Sequence, residues 1–408
     1  MTIPSITLDS QITLRNLSTQ IEDGVALIGW QGQFLELPPE GIEFIGWLNE
    51  GLTVGQARER FETKFNPFPD EDLFGVMDAF LDSDFIAVID GHDLAPQKEE
   101  PIQDDGAWIP QVWAQRIYST PVLLAWIAFV LPATWLWVTT PSLWPRYSDY
   151  FWIEYNFIII LVGLLVWLFA MFAHELSHLL AARAKGIEAT ITWTQRLGFI
   201  PMSQTIMHNI WAVPRNSRYL PLVAGMMTDW VQMGVLLYLL SAYTVGLLSL
   251  PLLFVKFMKF YLLVLLMGVT AQFWLFSKMD GYFLLSALLG QRNLQADTYS
   301  WLGNQFKKLP VLRNLPLIHS LAPFEPPPAG MRYIYIYSLI TLSWGALFMG
   351  QFLLVQIPIK IRLIWESLLK IGAGVALNPI EFADGIATLL SQGIDVGLLI
   401  YAYLRTEE

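Results

Sequence analysis

The chain of 408 residues contains no cysteine, only 5 histidines, and charged side chains at only 14% of positions. Without cysteine there can be no disulfide and no thiolate metal site, which leaves imidazoles and carboxylates as the ligand types for any metal. So few histidines exclude a di-iron hydroxylase or desaturase, whose membrane sites need many of them. The scarcity of charge, with 54% hydrophobic residues, a mean hydropathy of +0.46, 17 Trp and 15 Tyr, fits lipid-facing helices with aromatic belts at their ends. Between Met1 and Trp30 no charged n-region leads into an apolar core. No cleavable signal peptide is therefore expected, and the N-terminal segment is expected to stay in the cytosol.

What charge there is lies unevenly. The first 100 residues hold 19 acidic and 5 basic side chains, a net of about −14, so with −11 overall the remainder carries about +3. Within this acidic part, 25–30 and 33–37 read as short strands around a Gln31-Gly32 turn. A helix over 39–48, stopped by Glu50-Gly51, is followed by one capped at Thr53, with Gln56 completing a capping box. Asp70-Glu71 opens a third helix with apolar residues at Leu73, Val76, Met77, Phe80 and Leu81, and 85–89 closes as a strand. The prediction is a small α+β, winged-helix-like domain over 1–92. This order, with Leu35, Leu37, Leu48, Asn49-Glu50-Gly51-Leu52-Thr53 and Phe80-Leu81, resembles the PqqD-like domain of peptide-modifying enzymes. The resemblance implies a peptide partner bound as an added strand on the sheet edge. A nucleic-acid partner is excluded, because so acidic a surface repels phosphates.

After a linker over 93–116, with Pro96, Pro101, Pro110 and the Lys98-Glu99-Glu100 cluster, come five apolar runs long enough to span a bilayer: 121–138, 157–182, 220–243, 252–276 and 333–357. Arg183 and Lys185 follow the second run, Arg215 and Arg218 precede the third, and Lys278 follows the fourth. These ends are expected to face the cytosol. Residues 358–408 are interrupted by Lys360, Arg362 and Lys370 and carry Glu381, Asp384 and Asp395, which suits an interfacial helix or a sixth, polar span. The expected fold is mainly α: a polytopic membrane protein of five or six transmembrane helices, with a membrane-embedded domain over 117–357.

The second run contains Ala173-His174-Glu175-Leu176-Ser177-His178. On a helix, positions i and i+4 share a face, so His174 and His178 can bind one metal while Glu175 reaches its water as a base. Ionisable groups are expensive in a bilayer, so their presence there points to function. His174 lies about 17 residues into the run, or roughly 26 Å along a helix, near the cytosolic end. A zinc hydrolase commonly has a third protein ligand. Asp280, at the end of the fourth run and followed by Gly281 where the backbone can turn, is the leading candidate. Asp229, in the third run, comes next; it is either functional or paired with a partner such as the Gln232 amide one turn on. His208 and His319 lie in connecting segments.

Together with Lys278-Met279-Asp280-Gly281-Tyr282-Phe283-Leu284-Leu285, Leu288-Leu289-Gly290, Trp211-Ala212-Val213-Pro214-Arg215, Arg218 and Ala224-Gly225-Met226, the motif resembles the site-2 protease family of intramembrane zinc metalloproteases. It is most similar to the bacterial peptide zinc metalloprotease branch. The resemblance covers 121–301 and implies a Zn2+ cofactor held by His174, His178 and Asp280, with Glu175 as the catalytic acid/base. It also implies a membrane-associated hairpin over 191–210, a peptide or single-span membrane protein as substrate, lipid as surroundings, and a bacterial inner or internal membrane as home. Where many members carry Asn and Pro before Asp-Gly, this chain has Gln272 and Leu275, and where many have Ala-Gly-Pro-x-x-Asn it has residues 224–229 ending in Asp229. Gln272 or Asn209 is the candidate oxyanion donor. The changed positions leave a second reading, a non-catalytic homologue acting as a membrane adaptor or assembly factor. A peptide-transporter subunit is a third class, but it would need no HExxH.

Overall fold

The computed structural model describes residues 6–22, 24–30, 33–94, 104–196, 200–208, 210–310, 324, 331–375 and 378–405. The Gln31-Gly32 turn, the Lys98-Glu99-Glu100 cluster, Asn209 and His319 lie outside the described residues. The chain forms two compact units, one of Met1–Gln111 with Ala182–Thr190 and Ile206–Arg218, the other of Val112–Ala181, Ile191–Thr205 and Tyr219–Glu408.

In the first unit, β2 (Ser18–Glu22), β3 (Val25–Trp30) and β4 (Gln33–Leu37) form an antiparallel meander, Ile28 standing opposite Thr19 and Leu35. β1 (Ile12–Leu14), β5 (Ile86–Ile89) and β6 (His92–Asp93) form a second small sheet. Three helices, α1 (Gly41–Asn49), α2 (Val54–Lys64) and α3 (Asp70–Asp82), share one core with the strands, centred on Ile12, Leu48, Leu73, Phe80 and Phe85. α1 starts two residues later than the apolar pattern suggests: residues 38–40 form a turn in which the Gly41 and Ile42 N–H groups donate to the Pro38 and Pro39 carbonyls. It ends where expected: Gly51 takes φ +92°, and the Leu52 N–H donates to the Trp47 carbonyl. The sequence reading misses β1, β2 and β6. β1 is too short for a pattern, but its Leu14 N–H is held by Asn49 Oδ1 at 2.8 Å. Residues read as linker are partly ordered: the Asp105 N–H donates to the Ala189 carbonyl, and Arg183 Nε donates to the Ile109 carbonyl at 3.0 Å.

The second unit is helical, and 67% of the described residues are helix. Among the described residues, five helices are long and apolar enough to cross a membrane: Gln111–Thr139, Asn156–Ala184, Arg215–Thr244, Leu252–Gln272 and Arg332–Leu354. The first consists of α4 (Gln111–Ile117) and α5 (Thr120–Thr139); α6 (Asn156–Ala184), α7 (Arg215–Thr244), α8 (Leu252–Gln272) and α11 (Arg332–Gln351) supply the others. Leu124, Trp135, Phe169 and Phe172 are 60–69% exposed on their outer faces, a surface suited to lipid rather than water. Inside, Met233 and Leu237 of α7 pack with Met258 and Leu262 of α8, and Gly234 lets Phe129 of α5 approach α7. Between α6 and α7 stands a two-stranded hairpin, β7 (Ala189–Arg196) and β8 (Ile200–Met207). α8 stops at Gln272, four residues short of the expected end, and two shorter helices follow, α9 (Asp280–Leu289) and α10 (Leu294–Phe306).

The C-terminal residues fold as two packed helices, α12 (Ile357–Ala373) and α13 (Pro379–Arg405), and neither is among the five span-like helices. Gly385 makes their close contact possible, and the buried Asp384 pairs with Lys370 at 2.7 Å while accepting the Phe157 N–H at the start of α6.

The Thr53 cap gives a local stability test. The Gln56 N–H donates to Thr53 Oγ1 at 3.2 Å and the Thr53 N–H donates to Gln56 Oε1 at 3.1 Å. Thr53→Ala should cost about 1 kcal/mol, seen as roughly five-fold faster hydrogen exchange of the α2 amides.

Candidate metal centre

α6 places His174 and His178 on one face, with ring centroids 4.8 Å apart. Their Nε2 atoms lie 3.1 Å from each other and 2.8 and 2.9 Å, respectively, from Oδ2 of Asp280. Both imidazoles are buried, and the three residues together could hold a metal ion.

The opposite ring nitrogens decide what the Nε2 atoms can do. His178 Nδ1 lies 2.6 Å from the Pro221 carbonyl, which can only accept, so Nδ1 carries the proton. His174 Nδ1 lies 2.7 Å from Oδ2 of the buried Asp229, whose carboxylate likewise accepts. With both protons on Nδ1, the neutral rings present Nε2 lone pairs to the same point as a carboxylate oxygen. Three converging acceptors repel one another, and a cation among them removes the repulsion. Asp229 is therefore not a third ligand but the support of a ligand. Nor does it pair with Gln232, whose Oε1 instead accepts from the Tyr261 hydroxyl.

Pro221, Gly225 and Asp229 recur every four residues and so form one stripe on α7. Gly225 lies in the middle of that stripe because nothing larger fits: a Cβ there would overlap Nε2 of both His174 and His178. The contact between α6 and α7 is reinforced by a hydroxyl–hydroxyl bond between Ser177 and Thr228, and the Tyr118 hydroxyl donates to the Ser177 carbonyl at 2.9 Å.

Asp280 does not end the fourth span. It is the first residue of α9, separated from α8 by residues 273–279, in which Leu275–Ser277 form a short 3-10 turn and Lys278 takes a left-handed φ of +53°. The turn falls to Lys278 and not to Gly281, which is helical and buried. Gly281 is needed for closeness instead, since a Cβ there would sit 2.5 Å from the Gln272 carbonyl oxygen. The Gln272 Oε1 accepts the Asp280 N–H at 3.3 Å, and Gln272 also lines the cavity that His174 and Glu175 border.

Glu175 is buried, and its Oε2 accepts from the Thr205 hydroxyl of β8 at 2.7 Å. The Ser203 N–H also meets Met171 of α6, which ties β8 to the motif helix. His174, Glu175 and Asp229 line a cavity of about 540 Å³ between α6 and α8, walled otherwise by apolar side chains such as Trp167, Met171, Met202 and Val264. Of the remaining candidates, His208 bonds Thr190 Oγ1 at 3.0 Å. The reading missed Thr205, Gly225 and the Pro221 carbonyl. The four-residue spacing of Pro221, Gly225 and Asp229 was a usable signal for the last two, whereas Thr205 had none.

Compared with known proteins, the chain matches no family model, no curated protein and no solved structure.

Two substitutions test this geometry through metal titration of the purified protein. Gly225→Ala should abolish stoichiometric binding, because the new methyl occupies the space of the Nε2 atoms. Asp229→Asn should weaken binding about 10–100-fold with the fold retained; unchanged affinity would remove Asp229 from the site.

Proposed function

We propose that this protein is an intramembrane zinc metalloprotease that hydrolyses peptide bonds near the cytosolic face of a bacterial inner or internal membrane. The observation that carries the reading is the convergence of His174 Nε2, His178 Nε2 and Asp280 Oδ2 beside a largely apolar cavity that His174 and Glu175 line. Two imidazoles and a carboxylate, with a fourth position for water, are the donor set of a catalytic zinc. The separations of 2.8–3.1 Å approach the edge of about 3.3 Å for a tetrahedron with bonds of ~2.0–2.1 Å. When bound, zinc supplies Lewis acidity, lowering the pKa of water toward ~7 and polarising a scissile carbonyl.

The protein's own groups do the rest. Glu175 accepts the proton of the attacking water and returns it to the departing nitrogen. Thr205 holds one carboxylate oxygen of Glu175, so the other is free to face the water. Pro221 and Asp229 keep the protons of the two histidines on Nδ1. The apolar walls exclude bulk water and receive the apolar part of the substrate, a peptide or a single-span membrane protein. A substrate helix has to unwind locally there, since its backbone groups are otherwise paired. The cytosolic side is assigned from Arg183, Lys185, Arg215, Arg218 and Lys278 at the span ends. The acidic N-terminal unit, as a PqqD-like domain, would deliver a peptide along an edge strand of the β2–β3–β4 sheet.

The test compares wild type with Glu175→Gln, measuring zinc content and cleavage of single-span peptides in proteoliposomes. Both should carry one zinc per chain, and the variant should lose cleavage by ~10²-fold or more. Equal cleavage by the two would sink the proteolytic mechanism. Zinc in both with cleavage by neither would favour the adaptor reading.

A further inference from the structure

Resting on the metal-site reading, we propose that Tyr337 and Gln295, on helices that carry no ligand, are positioning residues that set the affinity of the site by holding the loop in front of Asp280. This loop, residues 273–279 between α8 and α9, holds one 3-10 turn over Leu275–Ser277 and leads directly into Asp280. Its Phe273 and Trp274 carbonyls accept backbone N–H groups of the same segment, which leaves those of Leu275 and Phe276 to side chains, and an unpaired carbonyl among apolar helices is costly.

Side chains from downstream helices supply the partners. The Tyr337 hydroxyl, from α11, donates to the Leu275 carbonyl at 2.7 Å. Gln295 Nε2 and the Tyr299 hydroxyl, both from α10, donate to the Phe276 carbonyl at 2.7 and 2.9 Å. Tyr337 is fully buried and packs with Tyr282, Leu294, Tyr333 and Ile334. Phe348, about three turns further along α11 on the same face as Tyr337, meets the rings of both Trp274 and Phe276. On the inner side, the Asp280 N–H is held by Gln272. The loop is thus gripped by side chains from α8, α10 and α11, and among the described residues Asp280 Oδ2 is the oxygen within reach of both Nε2 atoms. Ligand geometry tolerates errors of about 0.5 Å, so loosening the loop should appear first in metal affinity.

A purely structural role for these hydroxyls would lower stability and leave the metal untouched. The same cluster offers a control: the Tyr333 hydroxyl is equally internal but donates to Asp297 of α10 at 3.0 Å and not to the loop. The experiment titrates Co2+ into the detergent-purified full chain, follows the visible ligand-field absorption, and measures thermal stability alongside. Tyr337→Phe should weaken cobalt binding about 10-fold or more and change the absorption band. Tyr299→Phe, at a partly exposed position where folding is not at stake, should give a smaller shift in the same direction. Tyr333→Phe should keep wild-type affinity and spectrum even if its melting temperature falls. Wild-type cobalt affinity and spectrum in both Tyr337→Phe and Tyr299→Phe would overturn the proposal while leaving the metal site intact. If Tyr337→Phe does not fold, wild-type binding by Tyr299→Phe alone overturns it. Failure of the wild-type chain to bind cobalt would instead overturn the metal reading, and this proposal with it.

Discussion

Two imidazoles on one helix can direct their Nε2 atoms at a single point only if their other nitrogens are held from behind. Here α7 does the holding, with a backbone carbonyl for His178 and a carboxylate for His174. Both contacts depend on how near α7 can come, and the missing side chain at Gly225 sets that limit. The rest of the site follows from this approach. Once the protons are fixed on Nδ1, the Nε2 lone pairs meet, and Asp280 adds a third acceptor to the same point.

The surroundings make such an arrangement consequential. In water, a cluster of acceptors would be solvated and would say little. Between apolar helices each buried polar atom must find a partner inside the protein. The partners near the site are consistent with that rule: Thr205 for Glu175, Gln272 for the Asp280 N–H, Tyr118 for the Ser177 carbonyl. The cavity next to them is lined mostly by apolar side chains, with His174, Glu175 and Asp229 among the few ionisable groups that reach it.

Much of this was legible in the residues themselves. The apolar runs located α5, α6, α7, α8 and α11 to within a few residues, because length and hydropathy alone decide such helices. The Thr53–Gln56 box and the Gly51 stop were readable as local chemistry. The HExxH spacing placed three site residues without any tertiary knowledge. What escaped was of another kind. β1 and β2 gain their pairing from strands distant in sequence, and a three-residue strand has no periodicity to read. The break after Gln272 was hidden because Phe273–Phe276 are as apolar as the helix before them, while the turn is made by Lys278, a residue type with no preference for a left-handed conformation. Asp229 was visible as an oddity in a span, but which ring it meets depends on the rotation of α7 against α6.

The chain order of these pieces has a temporal side. His178 precedes Asp280 by 102 residues, with two long helices between them. During synthesis, α6 enters its apolar surroundings with two imidazoles and a glutamate but no carboxylate to complete the set. α7 then brings the orienting groups, and only when α9 has emerged and its loop is seated does the triad exist. A chain that halts before α9 lacks Asp280, so the three-residue cluster is completed late in synthesis.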